Sequence, residues 1–198
     1  MEFDLDTFNR DTPSNLDYLI NASKNSGFDM CSDLNTGCLL RLLASSKPNG
    51  NILEIGTGTG LSALWLLEGM CPNSKLLSID NDRGPQGIAK DNISDSRVTF
   101  LEIDGMEFLR EPRDEKFDII FADAWPGKYE LIEEAFNLLA DGGIYIVDDF
   151  LPQDDWPPEH YPDAEMSFRK LSNISNTHSV GLNWSTGLLI MTKKASTS

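Results

Sequence analysis

The stretch Asn51-Ile52-Leu53-Glu54-Ile55-Gly56-Thr57-Gly58-Thr59-Gly60 decides the fold. Ile52, Leu53 and Ile55 make a short apolar run, and three glycines at alternate positions close it. Such a run, bounded by glycine, reads as a buried strand. Residues 61–67 follow with apolar side chains at helical spacing, so a helix starts where the turn ends. Glycine lets backbone approach a ligand closely, and a helix start offers unpaired N–H groups. The unit is strand, glycine turn, helix. Its spacing is G-x-G-x-G, which departs from the dinucleotide fingerprint G-x-G-x-x-G at the third glycine.

The same rhythm continues downstream. Strands are expected over Lys75–Asp80 and residues 97–104, 117–123 and 144–147. Between them lie helices over 86–92, 106–109 and 128–140. The last carries Leu131, Ile132, Ala135, Phe136 and Leu139 on one face and ends at Gly142-Gly143. Alternation of this kind implies a parallel sheet covered by helices on both faces. Residues 151–162 hold Pro152, Pro157, Pro158 and Pro162 and read as a loop or lid. A helix over 164–171 follows. Two apolar runs, 180–184 and 187–192, are joined by Ser185-Thr186, which predicts a tight hairpin and therefore one antiparallel strand. Leu16, Leu19 and Ile20, then Leu34, Cys38 and Leu42, mark helices ahead of the first strand. The expected architecture is α/β: a doubly wound, mostly parallel sheet of seven strands, closed by an antiparallel hairpin. The chain reads as one domain over 1–198. A helical segment (1–48) leads into a cofactor-binding core (49–150), a proline-rich lid (151–162) and a final helix and hairpin (163–198).

Composition narrows the function. The 198 residues include 16 Lys and Arg against 32 Asp and Glu, a formal net charge of −16. So negative a surface repels phosphate backbones and anionic lipid, which argues against nucleic-acid or membrane partners. Cys31, Cys38 and Cys71 are odd in number and form no C-x-x-C pair, so a reducing, cytoplasmic setting fits best. Glu2, Asp4, Asp6 and Asp11 stand where a secretory leader would carry basic residues.

Acids mark the ends of the strands. Glu54 precedes the glycine turn. Asp80 ends the second strand, where a carboxylate can accept both hydroxyls of a ribose. Asp104 ends the third, where an adenine would lie. Turn, acids and hairpin together resemble the class I S-adenosylmethionine-dependent methyltransferases, with their Rossmann-like sheet. More narrowly, residues 32–43 (SDLNTGCLLRLL), Leu61-Ser62-Ala63 and Asp148-Asp149 resemble the catechol and caffeoyl-CoA type O-methyltransferases. The resemblance implies an S-adenosylmethionine site at Glu54, Gly56, Thr57, Gly58, Gly60, Ser62, Asp80, Asp104, Gly105 and Asp123. In it, Ser62 would contact the methionyl carboxylate.

The resemblance also implies an acceptor site. In that family two acids and an amide hold Mg²⁺; here the matching positions are Asp123, Asp148 and Asp149, the last in place of the amide. Three carboxylates at neighbouring strand ends repel one another unless protonated or bridged by a cation. The other reading has Asp123 facing the sulfonium, with Asp148 and Asp149 as solvated loop acids. Lys128, in Asp123-Ala124-Trp125-Pro126-Gly127-Lys128-Tyr129, stands near the family's general-base lysine, with Pro126-Gly127 lengthening the gap. His160 in the lid is the other candidate base. Trp125, Trp156 and Tyr161 are candidates to line a flat pocket for a small molecule bearing a hydroxyl. A homodimer is left open. The rival readings are an NAD-dependent Rossmann dehydrogenase, a non-catalytic cofactor-binding protein of the same fold, and an aminopropyltransferase, whose paired catalytic acids find no match.

Overall fold

Strand β1 (Asn51–Ile55) is the hub, and its alternating side chains explain why. Ile52 points to one face of the sheet and packs with Leu40 and Trp65. Leu53 and Ile55 point to the other and pack with Phe108 and Tyr145. All three are buried, each contributing about 1.5–3 kcal/mol relative to exposure. The computed structural model describes residues 11–153, 156–158 and 160–195, so Glu2, Asp4, Asp6 and the lid residue Glu159 lie outside the described residues.

The chain runs α1 (Leu16–Ser26), α2 (Leu34–Ser45), β1, α3 (Leu61–Gly69), β2 (Lys75–Asp80), α4 (Arg83–Asn92), β3 (Val98–Glu102), α5 (Gly105–Arg110) and β4 (Phe117–Ala122). It continues through α6 (Trp125–Lys128), α7 (Ile132–Asn137), β5 (Leu139–Val147), α8 (His160–Ser172), β6 (Thr177–Leu182) and β7 (Leu188–Lys193). The strands form one seven-stranded sheet in the order β3-β2-β1-β4-β5-β7-β6. Pairs from β3 through β5 are parallel, and β7 is antiparallel to both β5 and β6. The order reverses between β1 and β4, and ligands of open α/β sheets bind outside the strand ends at such a switch point. Two cores flank the sheet: one under α1–α4, the other under α5, α7 and α8. The leading helices belong to the first, since α2 lies on α3 where Gly37 leaves room for the buried Trp65 ring. Among the described residues no helix is long and apolar enough to cross a membrane.

Four expectations need correction. The predicted helix over 128–140 is broken. Leu131 sits at φ 51°, only Ile132–Asn137 is helical beyond it, and Leu139 is already a strand residue opposite Phe117. Gly142-Gly143 therefore do not stop a helix; they lie inside β5, where the register with β4 shifts between Phe117 and Ile119. Second, Ser185-Thr186 are the centre of a longer connection: Leu182 pairs with Leu188, and Trp184 lies outside the strands. Third, the third strand is shorter than 97–104, ending at Glu102 and freeing Asp104 to cap α5. Fourth, His160, Tyr161 and Pro162 are helical, not loop, residues. They form the first turn of α8, where proline lacks only an N–H that has no partner there.

Candidate active site

A cavity of about 1000 Å³ lies across the carboxyl ends of β1, β2, β4 and β5. One end is built by the glycine turn. Gly56 has φ 102°, and a Cβ there would stand 2.5 Å from the carbonyl oxygen of Asp123, so only glycine lets β1 turn this close to β4. The Gly58 N–H donates to Asp80 Oδ2 at 2.8 Å, and the Asp82 N–H donates to Oδ1 at 2.8 Å. The Asp80 carboxylate is thus held at the wall in one orientation. Asp104 Oδ1 caps α5 by accepting from the Met106 and Glu107 N–H groups, and Asp104 and Gly105 line the same cavity. Thr57 and the buried Ser62 line it too.

Two residues of the expected cofactor set stand behind this wall. Gly60 caps α3 at φ 92°, and a Cβ there would meet Ala89 of α4 at 2.7 Å, so it serves helix packing. Glu54 is fully buried beneath the turn. Ser78 Oγ donates to Glu54 Oε2; Ser78 and Thr57 share a 2.7 Å hydroxyl contact, and Gln86 Nε2 donates to Thr57 Oγ1 at 3.2 Å. Among the described residues Glu54 Oε1 has no hydrogen-bond partner. Burial pushes the Glu54 carboxyl from its ordinary 4.5 up to about 7, with the Ser62 and Ser78 hydroxyls opposing and the Asp80 charge adding to the rise. Between these values the folded chain holds a proton that the unfolded chain releases. Glu54 therefore stabilises the fold fully below pH 4.5, and that stability is lost as pH rises through 7. At about 1.4 kcal/mol per pH unit, urea unfolding at pH 5 and pH 8 should show wild type losing roughly 2–3 kcal/mol more than Glu54→Gln. Equal losses in the two proteins would refute the buried proton.

The other end of the cavity is acidic and aromatic. Asp123, Asp148 and Asp149 all line it. Asp148 Oδ1 accepts from the Asp149 N–H at 2.8 Å and from the Thr186 hydroxyl, which fastens the end of β5 to the hairpin turn. Asp149 has φ 59°, a left-handed conformation that Asp tolerates better than most residues. Asp123 Oδ2 accepts from Ser32 Oγ at 3.2 Å, bringing the α1–α2 connection over the site. Burial and the charges of Asp148 and Asp149 push Asp123 well above the usual carboxylate range; burial and Asp149 push Asp148 up to about 6.

Lys128 lies among these acids and is buried. Pro126 (φ −66°, ψ 136°) and Gly127 (φ 81°, ψ −20°) have the dihedrals of a type II turn, which is how the inserted Pro-Gly pair is absorbed. The turn is pinned by Tyr145, whose hydroxyl donates to the Gly127 carbonyl at 2.8 Å, and by Ser167, whose hydroxyl donates to the Lys128 carbonyl. Burial lowers the Lys128 pKa, opposed by the charges of Asp149, Asp123 and Asp148. Among the described residues no group of three or more His, Cys, Asp or Glu side chains is set to hold a metal ion. The basic side chain set among these three carboxylates is Lys128.

Four rings make a wall beside the acids. Trp125 and Tyr129 have centroids 4.4 Å apart, Trp156 and His160 4.3 Å, and Tyr129 and His160 5.7 Å. His160 Nε2 and Tyr129 Oη are 3.1 Å apart. Trp125 and Trp156 thus reach the cavity as expected. Tyr161 lines a separate recess of about 300 Å³ between α8 and the hairpin. Sequence reading missed Tyr129, Ser32 as a partner of Asp123, Gln153 and Thr186. The one local signal was an aromatic residue directly after the singled-out lysine.

Known proteins agree with this geometry. Residues 53–150 match a family model described as a methyltransferase domain. A Mycolicibacterium smegmatis protein provisionally named O-methyltransferase is 35% identical over 117 residues, 56% of this chain and 56% of that protein. The chain thus spans little more than half the length of that curated relative. Among solved structures, the Bacillus cereus O-methyltransferase in complex with S-adenosylhomocysteine superposes with a TM-score of 0.79 at 20% identity, covering 93% of each chain. The O-methyltransferase TomG from Streptomyces achromogenes, solved with S-adenosylmethionine, has a TM-score of 0.77 at 23% identity over 93% of this chain and 91% of its own. Residues 53–150 are thus similar to the methyltransferase-domain family, and the chain has the Rossmann-like fold of these solved structures.

Proposed function

We propose that this chain transfers a methyl group from S-adenosylmethionine to a hydroxyl oxygen of a small molecule. The observation that carries the reading is the continuity of one cavity from the glycine turn and Asp80 to the chamber of Lys128 and the aromatic wall. The donor end fits a nucleoside: a fixed carboxylate at Asp80, Asp104 and Gly105 beyond it, and a backbone at Gly56 with no space for a side chain. In this reading Asp80 accepts from the ribose hydroxyls, Asp104 and Gly105 flank the adenine, Ser62 meets the methionyl carboxylate, and Asp123 faces the positive sulfur. Bound S-adenosylmethionine supplies an electrophilic methyl group. The chain holds the acceptor oxygen in line with it, excludes water, and takes the hydroxyl proton on Lys128 Nζ in its neutral form, which burial favours. His160 is the alternative proton acceptor, but its Nε2 is already within hydrogen-bond reach of Tyr129. Gln153, Trp156 and Pro157, from the proline-rich segment, cover the acceptor end as part of a lid.

A second reading adds a divalent cation at Asp123, Asp148 and Asp149. What favours it is charge: each of the first two acids is raised partly by its neighbours, and oxygen donors suit Mg²⁺. The first reading does not need it, because one proton on Lys128 or Asp123 already offsets part of the acidic charge.

Thermal unfolding separates the methyltransferase from its rivals. S-adenosylhomocysteine at a hundredfold its dissociation constant adds about 2.7 kcal/mol and should raise the Tm by roughly 5 °C or more. NAD should leave it unchanged. A shift with NAD alone would support a dehydrogenase. A shift with S-adenosylhomocysteine, but no methyl transfer to any hydroxyl acceptor, would leave a binding protein.

A further inference from the structure

The acceptor end of the cavity carries more information than the presence of a pocket. Among the described residues, the cavity wall contains seven aspartates and one lysine. That lysine faces three of the acids, and its Nζ lies 5.1 Å from the Tyr129 ring centroid and 5.4 Å from that of Phe150. It is therefore already compensated. A phosphorylated or carboxylate-bearing acceptor would enter with no unpaired basic side chain to receive it, and would lose its hydration against carboxylates.

The aromatic wall has the opposite preference. Trp125, Tyr129, Trp156 and His160 form a contiguous surface of ring faces and edges. Ring faces are electron-rich and attract a cation within about 6 Å, more strongly where water is excluded. Two further acids reinforce the wall from behind. Glu130 accepts from Trp125 Nε1 at 3.2 Å, and the charge of Asp163 is felt at the Tyr129 hydroxyl. Asp149 acts on the same hydroxyl from the cavity side. With one proton held on either Lys128 or Asp123 and with Asp148 and Asp149 ionised, these four groups carry a formal charge of −2 beside this wall. Rings combined with net negative charge recognise an organic cation, whereas rings alone would accept any flat neutral molecule.

We infer that the methyl acceptor of this protein carries a positively charged amine or quaternary ammonium group, bound against Trp125, Tyr129 and Trp156 and drawn in by Asp149, and that anionic acceptors are excluded. The inference rests on the methyltransferase reading and names the substrate class of that same site.

The test uses three phenols whose two-carbon para tails end in an ammonium, a hydrogen and a carboxylate: tyramine, 4-ethylphenol and 3-(4-hydroxyphenyl)propionate. Each is titrated calorimetrically at neutral pH into the protein saturated with S-adenosylhomocysteine. Tyramine should bind at least tenfold more tightly than the propionate, with the neutral phenol between. Asp149→Asn and Trp156→Leu, each shown by calorimetry to bind S-adenosylhomocysteine as wild type does, should reduce that ratio to threefold or less. Equal affinities, a preference for the anion, no binding of any of the three, or a charge order that survives both substitutions would each overturn the inference. If S-adenosylhomocysteine itself fails to bind wild type, the methyltransferase reading falls as well. If it binds and the charge order is absent, only the inference about the acceptor falls.

Discussion

Asp80→Ala lowers the affinity for S-adenosylhomocysteine by at least tenfold, and by more than a hundredfold if both ribose hydroxyls depend on it. A hydrogen bond to a charged group is worth about 1.5–3 kcal/mol, and 1.4 kcal/mol is a factor of ten in binding. The structure adds an indirect contribution. Asp80 accepts from the Gly58 N–H and the Asp82 N–H, so the substitution also leaves the glycine turn without its restraint. Asp80→Asn separates the two effects. Its amide oxygen can still accept from Gly58, while the charge toward the ribose is gone, so its loss should fall between wild type and Asp80→Ala. Calorimetry on all three proteins measures this, with urea unfolding to show that each is folded. Unchanged affinity in a folded Asp80→Ala protein would falsify the ribose assignment.

That prediction was within reach of the sequence because its basis is local. Residues 51–60 state strand, turn and helix within ten positions, and the acid at the end of the next strand follows from the alternation. Asp104 was equally visible, since a residue before Gly105 at a strand end serves both as a helix cap and as a wall of the site. Legibility failed where partners come from distant segments. Leu131, Ile132, Ala135, Phe136 and Leu139 keep helical spacing, yet Leu139 is held opposite Phe117 in the sheet, and this pairing ends the helix at Asn137. Periodicity cannot register a competitor that lies more than twenty residues away.

The acceptor end was hidden for the same reason. Lysine is normally exposed, and nothing adjacent to Lys128 announces that Tyr145 and Ser167 clamp its turn from β5 and α8. Tyr129 and His160 meet across 31 positions, and Thr186 reaches Asp148 across 38. Four prolines obscured the start of α8, because proline at the third residue of a helix looks in the sequence like proline in a loop. The sequence displays every residue type of an acidic, aromatic pocket; their convergence depends on the order β1-β4-β5-β7, which only the folded sheet supplies.

Lys128→Met lowers kcat by about a hundredfold or more and changes S-adenosylhomocysteine affinity by less than threefold. The magnitude is that of a positioned proton acceptor, about 10²–10⁴. The split between kcat and affinity follows from position, since Lys128 belongs to the acceptor end while Asp80 and the glycine turn hold the donor. Methionine keeps an unbranched apolar stem one atom shorter than lysine, so the contacts around the buried side chain largely survive. Lys128→Arg decides which property matters. Arginine keeps a positive charge among Asp123, Asp148 and Asp149 but does not give up its proton at working pH. If Lys128 takes the hydroxyl proton, Lys128→Arg loses nearly as much as Lys128→Met. If the lysine only offsets the three acids, arginine restores most of the activity, and the proton must go to His160. Assaying wild type in EDTA completes the comparison. Undiminished transfer in EDTA leaves Lys128 as the working base of the site. Loss in EDTA with recovery in Mg²⁺, and loss of that recovery in Asp148→Ala, would instead assign Asp123, Asp148 and Asp149 to a metal, with Lys128 beside it.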